Sequence, residues 1–172
     1  MPKGTIISPE LKNQIWESMN DVTLDARYWE HEAEKYYKRD HGVRILLAIF
    51  SVLTTAEVAI KLFAANIHDI ILLISALITA CFAVIGLESK IKMSTIIANQ
   101  LNEIAEDYGI MWRKIKLKKQ INYEDQHFQL LDKIKAVALK IEPTYSIDIK
   151  LRDRVQEEVI KNMKAKGWMK NG

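Results

Sequence analysis

The feature that most constrains this chain is a pair of apolar runs, Val43 to Ala65 and Ile70 to Leu87, separated by just Asn66, Ile67, His68 and Asp69. At about 1.5 Å per helical residue, the first run is long enough for a hydrocarbon core about 30 Å thick, and the second just reaches across. Two such runs joined by so short a loop predict a transmembrane helical hairpin. The rest of the 172 residues is rich in charge, which is why the mean hydropathy of the whole chain is near zero. Six Gly and three Pro are few for this length and fall mostly near the ends, so long uninterrupted helices are expected.

Before the first run, Ser8-Pro9-Glu10 reads as a helix start: Ser8 as N-cap, Pro9 in the first helical position and Glu10 at the positive end of the helix dipole. Ile15, Met19, Val22, Ala26, Trp29, Ala33 and Tyr36 then recur at steps of four and three, a heptad seam. One helix from about Ser8 to about Ala65 is predicted, with Gly42 as the place for a bend. After the second run, Ile97, Leu101, Ile104, Tyr108, Met111 and Ile115 repeat the same steps, with Gly109 the weak point. The two seams are expected to pack antiparallel, or to serve as an oligomer or partner seam. A turn over Gln120 to Asp125 leads to a shorter helix with Phe128, Leu131, Ile134, Val137, Ala138 and Ile141 on its apolar face, ending before Pro143. A last helix, from about Ile147 to Lys166, aligns Ile147, Leu151, Val155, Val159 and Met163. The fold class is therefore all-α: a two-helix transmembrane hairpin (residues 43–87, spans 43–65 and 70–87) extending into an antiparallel cytoplasmic coiled bundle. That bundle would be made of residues 1–42 and 88–172, with two shorter C-terminal helices.

Charge sets an expected direction. Arg27, Lys35, Lys38, Arg39 and Arg44 lead into the first run and Lys90 and Lys92 follow the second, whereas the loop 66–69 has no Lys or Arg. The positive-inside rule puts both termini in the cytoplasm of a multi-pass inner-membrane protein. Met1 to Glu10 lacks the pattern of a cleavable signal peptide, so the first span would itself be the targeting signal. The lone Cys81 sits in the second run and can form no internal disulfide.

Polar residues within the runs are the candidate functional groups. Ser51, Thr54, Glu57 and Lys61 share a stripe of the first. A carboxylate in hydrocarbon needs a partner, water or a proton. Glu57 is read either as an i,i+4 partner of Lys61 or as part of a water-filled, pore-lining stripe, and both can hold. In the second run Ser75, Thr79, Ala83 and Gly86 form a stripe of small residues suited to close helix–helix packing, within one chain or between protomers.

Elsewhere the chemistry is sparse. His31 sits in Glu30-His31-Glu32-Ala33-Glu34, but a zincin would need its second His at Lys35, so a solvated charged face is expected there. His41, His68 and His127 have no ligand spacing, and there is no phosphate loop, nucleophile elbow or CxxC. Neither a metal, a cofactor nor an enzymatic activity is expected. The basic run Arg113, Lys114, Lys116, Lys118 and Lys119 stands roughly 40 Å of helix beyond Leu87, too far for lipid headgroups. It has two readings: surface pairs with Glu10, Glu17 and Asp21 across the helices, or a patch for an anionic partner, nucleotide included. The net charge of +3 requires no nucleic acid, and direct nucleic-acid binding is not expected.

Ala26-Arg27-Tyr28-Trp29, Ala33 and Tyr36-Tyr37-Lys38 ahead of the first run resemble SLATT-type proteins. So do Lys90, Lys92, Asn99, Leu101, Ile104, Asp107-Tyr108 and Trp112-Arg113-Lys114-Ile115 after the second. The resemblance extends over about Leu11 to Leu139 and lies mostly in the succession of long helix, apolar run, tight loop, apolar run and long helix. It implies a two-transmembrane effector of bacterial conflict systems. Such a protein would form pores or disrupt membranes in antiphage defence, as a homo-oligomer triggered by a sensor protein or nucleotide signal. A non-conducting anchor or scaffold recruiting a cytoplasmic partner, and a phage exclusion or holin-like protein, are the alternatives.

Overall fold

The computed structural model describes residues 7–60, 70, 74–79, 86–119, 121–141 and 145–165, the backbone alone for 53–60. Most of these residues are helical, with no strand among them. The elements are α1 (Pro9–Ile60), α2 (Leu87–Lys116), α3 (Tyr123–Ala138) and α4 (Ile149–Ala165), and residues 74–79 are also helical. The described chain forms two compact units. One holds the chain up to His31 together with Ser94 onward, and the other holds Glu32–Met93.

In the first unit the seams read from the sequence form the core. Ile15, Met19, Val22, Ala26 and Trp29 of α1 are buried, as are Ile97, Leu101, Ile104, Tyr108 and Met111 of α2. The five α2 residues are thus packed inside this chain's own bundle. Trp16 stacks at 5.0 Å on Trp112, and Asn102 Nδ2 donates to Glu30 Oε1 at 2.6 Å, so α1 and α2 run antiparallel in this unit. Ser8 does cap α1: the Leu11 amide donates to its Oγ at 3.1 Å, satisfying one of the orphan donors of the first turn.

α4 lies in the register its spacing predicts, with Leu151, Val155, Val159 and Met163 buried. It begins two residues later than expected, because Asp148 is its cap: the Leu151 amide donates to Asp148 Oδ1 at 3.1 Å. Ile147 is left outside the helix and exposed. Two contacts tie the segment ahead of α4 to α1, the Asp148 amide donating to the Tyr28 hydroxyl (3.0 Å) and Tyr145 stacking on Trp29 (4.6 Å).

α3 departs from the expected face. Its buried residues are Tyr123, His127, Leu130 and Val137, whereas Phe128 is exposed. A polar His127 breaks the apolar pattern that a sequence reading follows. It is accommodated because the Tyr108 hydroxyl and His127 Nδ1 meet at 3.0 Å, which removes most of the cost of burying an imidazole.

The second correction concerns the membrane. No helix among the described residues is long and apolar enough to cross one, which overturns the multi-pass inner-membrane placement with both termini in the cytoplasm. Over its described residues α1 runs to Ile60, and its apolar portion from Val43 carries Arg44 and Glu57.

Candidate functional site

In the unit formed by Glu32–Met93, α1 presents one exposed face. Lys38, Gly42, Ile45, Ile49 and Val52 step by four and three, which places them in a line, with Leu46 beside them. The aliphatic members are open to solvent: Ile45 is 47% exposed, Leu46 49%, Ile49 50% and Val52 68%. Large aliphatic side chains gathered in this way are unusual on a surface without a partner.

Cations collect where this face begins. Lys38 pairs with Glu34 at 2.7 Å, and Arg44 Nε donates to Oδ2 of the buried Asp40 at 2.7 Å, which holds the Arg44 guanidinium even further above its usual range. Arg39 and Lys92 are exposed, and Lys90 Nζ lies 5.8 Å from the centre of the Tyr36 ring. Tyr37, 61% exposed, stacks on His41. An aliphatic stripe opening from a basic, aromatic collar has the make-up of a surface that meets both an apolar phase and an anionic one.

Of the sequence candidates in this region, Ser51 is exposed on α1, and Thr54 and Glu57 lie on the same helix near its end. Lys61 and Ala83 fall outside the described residues. Thr79 Oγ1 donates to the Ser75 carbonyl at 2.8 Å, a bond inside one helical turn. Gly86 has φ +59° and sits just ahead of α2, its carbonyl accepting from the Lys90 amide and the Ser89 hydroxyl. Its small size therefore answers a backbone need that stripe spacing does not disclose.

In the first unit, none of Arg113, Lys114, Lys116, Lys118 and Lys119 takes part in an ion pair among the described residues, so the expected pairs with Glu10, Glu17 and Asp21 are not formed. Arg113 instead donates to the Gly109 carbonyl at 3.4 Å, and Lys12 leans over Trp112. Beside this run is a cleft of about 460 Å³ whose lining includes Arg27, Asn102, Glu106 and Arg113. Glu30 binds both Arg27 and Asn102, so this end of the cleft is already neutralised.

His31 Nε2 meets Glu158 Oε2 at 3.1 Å, joining α1 to α4. Among the described residues no group of three His, Cys, Asp or Glu side chains is placed to hold a metal ion. Burial raises the Asp25 carboxyl above the usual range, opposed by the neighbouring Arg152 and reinforced by Asp21. Burial likewise raises the Tyr108 phenol and lowers the His127 imidazole. The unpaired basic run and the Tyr108–His127 contact are features that hydrophobic periodicity carries no signal for. No protein-family model, no curated protein and no solved structure matches this chain.

Proposed function

We propose that this chain is a membrane-perturbing effector that assembles through its apolar segment when a sensor protein or nucleotide signal triggers it. The resemblance of its sequence to SLATT-type proteins suggests bacterial antiphage defence as the setting. The observation that carries the reading is the exposed aliphatic stripe Ile45, Leu46, Ile49 and Val52, which has no use in a chain acting alone in water. The unit of α2, α3 and α4 with the start of α1, whose core is closed, offers a surface to which a trigger can bind. The stripe Ser51, Thr54, Glu57 and Lys61 would carry the leak once copies assemble.

The test is release of a trapped dye from lipid vesicles by the purified full chain, alongside membrane potential in cells expressing it with and without its genetic neighbours. Release and depolarisation that Ile49→Asp with Val52→Asp suppresses are expected. No leak and no depolarisation under any trigger would overturn the reading. Unchanged leakage in Glu57→Leu with Lys61→Leu would remove those residues from the path.

A second reading is favoured by one observation, the unpaired cations Arg113, Lys114, Lys116, Lys118 and Lys119: a non-conducting scaffold that recruits an anionic partner. A scaffold should leave cells viable on overexpression even when its partner is active.

A further inference from the structure

We propose that the Glu32–Met93 unit is a docking surface for anionic phospholipid, in which α1's aliphatic stripe enters the acyl region and a collar of cations holds the headgroups. This rests on the membrane-perturbing reading above and deepens it by naming the lipid class and the residues that select it.

The argument is one of register. Lys38 and Gly42 precede Ile45, Ile49 and Val52 on the same face, so the charge-to-apolar transition takes place along a single line, within roughly 10 Å of helix from Lys38 to Ile45. Arg39 and Arg44 flank that line, and Lys90, over the Tyr36 ring, brings the cations of α2's first turns to the same end. Five exposed cations (Lys38, Arg39, Arg44, Lys90 and Lys92) face the exposed carboxylates Glu34 and Glu88, while Asp40 is buried under Arg44. Exposed Tyr37 lies at the transition, where amphipathic rings favour a bilayer's headgroup level. A second copy packed parallel along the same stripe would bring these collars together with like charge facing like, whereas a phosphodiester surface complements them. Long basic side chains can lay their stems along the acyl boundary and keep their charges at the phosphates.

The experiment is sedimentation of the full chain with vesicles of neutral phosphatidylcholine, and of phosphatidylcholine with a third phosphatidylglycerol, at low and high salt. Binding to the anionic vesicles that weakens with salt is expected. The reversal Arg39→Glu with Lys92→Glu should lower it by roughly tenfold or more, since each basic residue near an anionic surface contributes about fivefold. Ile49→Asp should abolish binding to both vesicles. Both sites are exposed, and circular dichroism verifies that each variant remains helical.

Equal binding to both vesicle types, or indifference to the charge reversal, overturns the lipid selectivity while leaving the membrane-perturbing reading in place. Absence of binding to any vesicle, together with absence of leakage, overturns both. A concentration-dependent dimer without lipid that Ile49→Asp dissolves, with no vesicle binding, assigns the stripe to a second copy and also overturns the inference.

Discussion

Tyr108 of α2 and His127 of α3 meet in the interior of the first unit, hydroxyl to Nδ1, at 3.0 Å. Burial lowers the imidazole's affinity for a proton, so the interior favours its neutral form.

The pH dependence of stability follows from that direction. The unfolded chain takes up this proton near the ordinary value of about 6.5, and the folded chain at a lower pH. Above about 6.5 the group has no effect. As pH falls below that value the unfolded state is favoured, and the loss is complete once the depressed folded value is passed. Urea unfolding of the first unit should show falling stability in this window. In His127→Leu this contribution to the slope should be missing.

Removing the hydroxyl tests the same contact at constant pH. Tyr108→Phe leaves Nδ1 buried without its partner and should cost about 1–3 kcal/mol. Ile97→Ala, at a fully buried seam position, should cost about 2–5 kcal/mol, whereas Phe128→Ala on the exposed face of α3 should fall within about 0.5 kcal/mol. Chemical denaturation at pH 7.5 measures all three.

Ser94 is fully buried, and its Oγ has no hydrogen-bond partner among the described residues. Replacing it with Ala removes an unpaired hydroxyl from the interior and improves helix propensity. Ser94→Ala should therefore leave stability unchanged or raise it by about 1 kcal/mol, a result readable from the thermal midpoint.

Gly42 and Gly86 should respond to an added methyl with opposite sign. At Gly42 an added Cβ meets nothing within 4 Å, so Gly42→Ala should stabilise α1 by about 1 kcal/mol. At Gly86 the backbone is left-handed (φ +59°), so Gly86→Ala should destabilise by about 1–2 kcal/mol. Helix content and the unfolding midpoint of each variant, compared with the native chain, give both signs.

What the sequence determined by itself is what depends on neighbours three and four residues apart. The start of α1 at Ser8, the seams Ile15–Trp29 and Ile97–Met111, and the register of α4 were all legible, because a helix places such residues on one face whatever it packs against. Tertiary structure alone decided which side of α3 is buried, since His127 is acceptable inside only where Tyr108 meets it. It decided equally that Arg113, Lys114, Lys116, Lys118 and Lys119 have no ion partners among the described residues, because charge pairing depends on side-chain separations that spacing along one helix does not set. The apolar runs mark the boundary between the two. Their composition can be read directly, and their length and hydropathy predict spanning helices, yet no described helix meets that requirement. Whether an apolar residue ends up covered depends on what lies across from it, so the exposed stripe Ile45, Leu46, Ile49 and Val52 could be found only in three dimensions.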